Sequence, residues 1–371
     1  MEPNAEIRPY VPKEMDAGAL YTREVKRQLL KVLLVVGAYL LIQFIVGGII
    51  EAALMFSSGL MDNIMQGAFH MAQGGGMTDY NDLLQSSQAS VQDILKDYVG
   101  LISIVSAVAG LPVFLLLRGK RLFTTDITVK YAPLSFPSFM KLWVIAMGAQ
   151  LVFNVGASLI NRILEPSGNS VTELLEQTMQ MLNTPTGLLY ICLIGPIVEE
   201  IVFRGAVMKS LERFGLNFSI ILSALIFGLF HIFTVQAVFA FFMGIILGYI
   251  ASRYSLKWSI LAHILINSVA MGIEYIGMTS DFDPATGIGE GASFLILSSI
   301  ILYVLFGIGI VLLIKERWRF AEQRAVGAPI RIPGSPERTG AALWQAAFTS
   351  IPLLIYIGAT VSAGIIMIIT P

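Results

Sequence analysis

Nine predominantly apolar runs, most of about 20 residues, dominate this chain. They lie near residues 29–54, 98–117, 142–164, 187–207, 216–233, 236–252, 258–278, 292–314 and 342–369. A helix of 20 residues is about 30 Å long, the thickness of the hydrocarbon core of a bilayer. Inside lipid only helices and closed barrels satisfy their own backbone. The expected fold is therefore all-α, a polytopic membrane helix bundle of about nine transmembrane helices. Composition supports this: 13% of residues are charged, against about 25% in ordinary soluble domains. Mean hydropathy is +0.75. So little charge cannot cover a globule, which excludes a soluble enzyme, a disordered chain and a nucleic-acid binder. The net charge of −1 offers no field to a polyanion. The single cysteine, Cys192, excludes an internal disulfide.

Basic residues set the orientation, because they concentrate on the cytoplasmic side of membrane proteins. With the N-terminus cytoplasmic and nine spans threaded, only Lys96 and Arg162 fall at outer ends, and 22 of the 24 basic residues face inward. Arg118/Lys120/Arg121, Lys209/Arg213, Arg253/Lys257 and Lys315/Arg317/Arg319 mark inner corners. Asp79, Asp82, Asp93, Asp97, Glu165, Glu173, Glu176, Asp281, Asp283 and Glu290 mark outer loops. The first span is too long for a signal-peptide core and reads as a retained anchor. The expected home is the cell membrane.

The chain divides into four regions. Residues 1–28 form a polar cytoplasmic segment that includes Arg8 and Lys13, and 29–183 carry the first spans with an outer loop at 57–97. Residues 184–278 hold the polar spans, and 279–371 the last spans with a basic inner loop at 315–341. The outer loop contains Gly74-Gly75-Gly76 between two candidate amphipathic helices. The inner loop ends in Pro333-Gly334-Ser335-Pro336 and suits contact with anionic lipid. Pro133 and Pro137 suggest a surface-lying segment over 121–141. No internal repeat is visible, which weakens a transporter reading.

The fourth run breaks the apolar rule. It reads Gly195-Pro-Ile-Val-Glu-Glu-Ile-Val-Phe-Arg-Gly205 and places Glu199, Glu200 and Arg204 in mid-span. Each such group costs roughly 2.5–3.5 kcal/mol on insertion scales, so it must face protein or a wet cavity. Glu200 and Arg204 are four apart and share a helix face. Glu199 lies about 100° round the helix, free for chemistry. Pro196 removes a backbone donor and can kink the helix before the pair. The fifth run ends in Phe227-Gly-Leu-Phe-His231, and the seventh contains His263-Ile-Leu-Ile-Asn267. His70, in the outer loop, reads as a surface residue.

Taken singly, each feature has an ordinary structural reading. A Glu–Arg pair can lock helices, a buried histidine can be a satisfied hydrogen-bonding residue, and an asparagine is common interhelical glue. Together they fall within 70 residues on three spans, while the other runs offer almost nothing comparable. Such a cluster marks a site. Glu and His can deprotonate water; His and Asn can donate hydrogen bonds to an oxyanion. No Gly-x-Ser-x-Gly nucleophile accompanies them, and Cys192 reads as packing. Water is the expected nucleophile. Metal is the rival mechanism: Glu199, His231 and His263 could form a three-ligand zinc site, but His-Glu-x-x-His is absent. No cofactor is favoured, zinc being the alternative.

Glu199-Glu200-x-x-x-Arg204, Phe227-x-x-x-His231 and His263-x-x-x-Asn267 resemble the three-motif pattern of the CAAX protease and bacteriocin-processing family of intramembrane endopeptidases, which includes the type II CAAX prenyl endopeptidases. The motifs cover about residues 187–269. The resemblance implies an intramembrane endopeptidase whose substrate is a peptide or membrane protein and whose cavity opens toward the cytoplasm. It implies that Glu199 activates water with His231, that His263 and Asn267 bind the oxyanion, and that Glu200 and Arg204 support the site, with Phe227 as the aromatic of its motif. A non-catalytic regulator or bacteriocin-immunity-type protein of the same family is the alternative. On straight helices Glu199 falls near mid-membrane, His263 on the inner side of its span and His231 toward the outer end of its own, a mismatch of up to ~10 Å that a tilted or kinked fifth span or a longer fourth helix would remove.

Two local devices complete the reading. Gly244-x-x-x-Gly248 allows close helix approach. Phe239, Phe241 and Phe242 read as core- or lipid-facing.

Overall fold

The computed structural model describes residues 17–57, 59–73, 77–128, 132–164, 179–232, 234–279, 289, 292–326 and 340–369. Arg8, Lys13, Gly74–Gly76, Glu165, Glu173, Glu176, Asp281, Asp283, Glu290 and the Pro333–Pro336 turn lie outside the described residues.

Every regular element among the described residues is helical. The long helices are α1 (Ala17–Ser57), α2 (Leu60–Ala72), α3 (Met77–Gly110) and α4 (Phe136–Leu164). A composite helix, α5, runs over Pro185–Phe214. It is followed by α6 (Leu216–Phe230), α7 (Thr234–Arg253), α8 (Leu256–Thr279), α9 (Ala292–Val326), α10 (Gly340–Phe348) and α11 (Ile351–Ile369).

Six stretches are long and apolar enough to cross a membrane: Tyr21–Ser57, Asp93–Arg118, Pro185–Phe214, Gln236–Arg253, Leu256–Ile276 and Ala292–Leu312. A seventh span forms if α10 and α11, bent by 61°, count as one. Pro352 explains that bend, since it lacks the N–H that would continue the ladder of α10. This is an integral, multi-pass membrane protein. The span count by length and composition is six or seven among the described residues, against the nine expected. The third expected span lies in α4, whose described apolar parts are Phe136–Gly148 and Val155–Leu164. The fifth is α6, with only 15 residues. At about 22 Å it is shorter than a hydrocarbon core.

Three apolar clusters hold the bundle, the smallest joining Met208 of α5 to Ile220, Ala251 and Leu256, and α5 runs through the largest. In the first, Val198, Val202, Phe203, Ala206 and Val207 of α5 pack with Val25, Leu29 and Val32 of α1 and with Leu222, Ile226 and Phe227 of α6. In the second, Leu142 and Met147 of α4 meet Met243, Leu247 and Ile250 of α7 and Ala262 and Ile266 of α8. The outward faces stay apolar, as lipid requires: Leu34, Phe44 and Ile49 of α1 are all exposed.

The hairpin of α6 and α7 depends on small residues. A Cβ on Gly244 would lie 2.9 Å from Ala224, and one on Gly248 3.1 Å from Ile220. The expected small-residue contact is thus made against α6. Nearer the turn, a Cβ on Gly228 would lie 2.6 Å from the carbonyl oxygen of Ala237 and 3.1 Å from Phe241. Backbone cannot yield as a side-chain tip does. Gly228→Ala is therefore expected to force α6 from α7 and to destabilise by about 1–3 kcal/mol. Gly272→Ala, with nothing within 4 Å of the new carbon, should leave stability unchanged or raised. Apparent melting temperatures in one detergent compare the two, and equal values would refute the close-packed turn.

Candidate active site

The site is built on an irregular helix. Within α5, π-helical segments Tyr190–Ile194 and Ile201–Met208 bracket the α-helical turn Gly195–Glu200 that carries both glutamates. A π-turn accommodates one extra residue and rotates the downstream helix about its axis; such turns recur at functional sites. Pro196, whose missing N–H predicts a kink, stands at the start of the bracketed turn, where the helical type changes from π to α.

The two adjacent glutamates have opposite surroundings. Glu200 is fully buried. Its Oε1 lies 3.0 Å from Arg204 Nη1 and accepts from His263 Nδ1 at 3.1 Å. Its Oε2 accepts a short hydrogen bond from Ser259 Oγ. Glu199 keeps 20% of its side chain exposed, and its Oε2 lies 3.6 Å from His263 Nε2. His263 thus stands between the carboxylates, one on each ring nitrogen. A carboxylate oxygen bound at Nδ1 accepts, so Nδ1 carries a proton and Nε2 is the nitrogen turned toward Glu199.

Arg204 is buried beside this pair. Its Nη1 and Nη2 make no hydrogen bond of good geometry among the described residues. Its compensation is the Glu200 charge and the face of Phe227, whose ring centre lies 4.3 Å from the guanidinium carbon. The Phe227 ring also meets His231 edge-on at 4.8 Å and His263 at 6.0 Å. The aromatic of the second motif therefore joins the arginine to both histidines.

His231 caps the short α6. Its N–H donates to Gly228 O at 3.1 Å, and Ile232 follows with φ +54°, a left-handed conformation costly for a β-branched residue. That turn reverses the chain into α7 and ends α6 at His231. Nδ1 donates to Phe227 O at 3.0 Å, because a carbonyl can only accept. Nε2 of the neutral ring then carries a lone pair. Glu199 and His231 each lie 16 residues from Gly215 at the α5–α6 corner, so they sit at similar depth. The fourth helix is longer than expected, and the Phe227 ring meets both His231 and His263, so the expected depth mismatch is absent.

Not every expected partner meets. Glu199 and His231 share neither a hydrogen bond nor an ion pair, and Glu199 is nearer His263. Asn267 Nδ2 donates to Ile191 O at 3.1 Å, inside the first π-segment, which leaves its second amide N–H free among the described residues. Cys192 bonds Ser268 rather than a histidine. Glu199, His231 and His263 do not converge as a zinc set: among the described residues no three His, Cys, Asp or Glu side chains group to hold a metal ion. His70 lies on α2, away from this cluster in sequence and structure.

Three participants belong to none of the sequence motifs. Ser259 sits one turn before His263, so Ser259, His263 and Asn267 line one face of α8 at four-residue spacing. Tyr39 of α1 and Tyr190 of α5 lie within electrostatic range of Glu199. Tyr39 is anchored by its hydroxyl on Ala107 O at 3.3 Å and stacks on Phe230.

Residues 182–269 match the family model Rce1-like, described as type II CAAX prenyl endopeptidase Rce1-like. The match takes in all three motifs and under a quarter of the chain. It agrees with the resemblance drawn from those motifs and ties the segment to a family of CAAX-type proteases. No curated protein and no solved structure matches the chain.

Proposed function

We propose that this Rce1-like segment is the catalytic core of an intramembrane endopeptidase that hydrolyses a peptide bond by water activated at Glu199. The carrying observation is the partition of the adjacent carboxylates. Glu200 is buried and committed to Arg204, His263 and Ser259, whereas Glu199 is partly exposed and faces His263 across 3.6 Å.

The roles follow from the atoms. Glu199 takes a proton from water as its oxygen attacks the scissile carbonyl carbon. The lone pair on His231 Nε2 accepts the second hydrogen of that water and orients it. The free N–H of Asn267 donates to the oxyanion, joined by His263 once its Nε2 takes up the proton that Glu199 shares across 3.6 Å. When the intermediate collapses, the C–N bond breaks and Glu199 returns its proton to the leaving amine. The products are an amine and a carboxylic acid, whose remaining water-derived proton passes to the amine or to solvent. The proposed steps use no metal ion, zinc-assisted hydrolysis being the alternative. The substrate class is a peptide or membrane-associated protein, with a prenylated C-terminal peptide the first to test. The inward bias of basic residues supports a cytoplasmic N-terminus, and the likeness to the family supports a site that opens toward the cytoplasm.

A comparison of membrane proteomes tests this reading. Cells carrying the intact protein should yield a cleaved C-terminus that is absent from cells carrying Glu199→Ala at equal abundance. Identical terminal peptides in both would overturn it.

A further inference from the structure

We infer that Ser259 is a positioning residue of this site: it pins Glu200 so that Glu200 holds His263 in one tautomer, with Nε2 directed at Glu199. The inference rests on the hydrolase reading above for its kinetic consequence and on geometry for the rest.

Glu200 is held asymmetrically. Arg204 and His263 both use Oε1, whereas Ser259 is the hydrogen-bond partner of Oε2. The terminal torsion of a glutamate is broad and nearly two-fold, so the chain alone does not fix the plane of the carboxylate. Contacts on one oxygen leave the other free to swing; a donor on the second stops that motion. Ser259 is itself immobilised. It is fully buried, and its Oγ lies 2.9 Å from Leu247 O on α7. The hydroxyl therefore gathers α5, α7 and α8 at one point.

The consequence passes to His263 through Oε1. A fixed acceptor at Nδ1 keeps the proton there and sets the plane of the ring. Nε2 then stays aimed at Glu199 Oε2. Without Ser259 the carboxylate can turn, the acceptor at Nδ1 weakens, and the ring can take either neutral tautomer.

The test uses the full chain in detergent micelles, with histidine ring nitrogens labelled with nitrogen-15. Resonances are assigned with His70→Gln, His231→Gln and His263→Gln. At one fixed pH, the native protein should show His263 with a stably protonated Nδ1. Ser259→Ala should draw its two ring nitrogens toward an exchange average, and Ser259→Thr, which keeps Oγ, should restore the native pattern. Ser259→Cys, similar in size but a weak donor, gives the same reading as alanine if the alanine variant fails to fold. Ser223→Ala removes another buried hydroxyl, one that donates to Phe203 O at 2.8 Å. It should lower stability without moving the His263 signals.

Hydrolysis of a prenylated CAAX peptide in the same micelles gives the kinetic arm. Ser259→Ala should lose roughly tenfold to hundredfold in kcat with little change in KM, the scale of one charge-assisted hydrogen bond. Unchanged His263 signals in Ser259→Ala, or an equal change in Ser223→Ala, would overturn the inference. Failure of the native protein to cut the peptide would count against the hydrolase reading for that substrate. The nitrogen signals would still decide the role of Ser259.

Discussion

Glu199→Gln should abolish peptide hydrolysis while leaving an inserted protein of nearly native stability. Glutamine keeps the size of the side chain and its partial exposure but cannot take a proton from water. General-base catalysis is worth about a hundredfold to ten-thousandfold, so kcat should fall by that order. The stability change should be small, since among the described residues Glu199 has only the 3.6 Å approach to His263 as a close polar contact and keeps 20% of its side chain exposed. The measurement is turnover of a prenylated peptide, read beside the apparent melting temperature of the same sample. Retained turnover in a folded variant would remove Glu199 from the chemistry. A collapsed melting temperature would instead show that Glu199 supports the fold, which its exposure argues against.

Much of this arrangement is legible in the sequence because charge is scarce in the spans. Glu200 and Arg204, four apart in an apolar run, have every reason to pair, and they do so at 3.0 Å. The turn that ends α6 is less legible. Phe227-Gly-Leu-Phe-His231 lies in an unbroken apolar stretch, and hydropathy does not say where within it the helix stops. The stop depends on a left-handed Ile232, a residue type that rarely adopts it. The π-segments escape for a similar reason. They shift the register by one residue, and an all-apolar face has no period to show the shift. Ser259 is hidden by its ordinariness, because serines are common in membrane helices and hydrogen-bond readily within their own. Its four-residue offset from His263 is the available signal. The contact between Glu199 and His263, rather than His231, is a tertiary fact that motif spacing does not contain.

Glu200→Ala should be among the most destabilising single changes in the chain, for a reason separate from catalysis. Glu200 and Arg204 are 0% and 1% exposed, and no other anion is paired with Arg204 among the described residues. Removing the carboxylate leaves a guanidinium buried against Phe227 with no paired counter-charge, only the more distant charge of Glu199. Breaking a buried pair by deleting one partner costs about 3–5 kcal/mol, far more than the pair itself contributes relative to apolar side chains. The same argument predicts recovery. Arg204→Met added to Glu200→Gln removes both charges and retains volume and a polar partner for Ser259, so the double variant should regain much of the loss. Apparent melting temperatures of the native protein, Glu200→Ala, Glu200→Gln and the double variant form the series. If Glu200→Ala melts with the native protein, Arg204 is not held by Glu200. If the double variant melts lower than the sum of its single changes, the pair contributes more than mutual neutralisation. Both outcomes are distinct from the Glu199 result: losing Glu199 should stop the chemistry in a standing fold, whereas losing Glu200 should weaken the fold that holds His263.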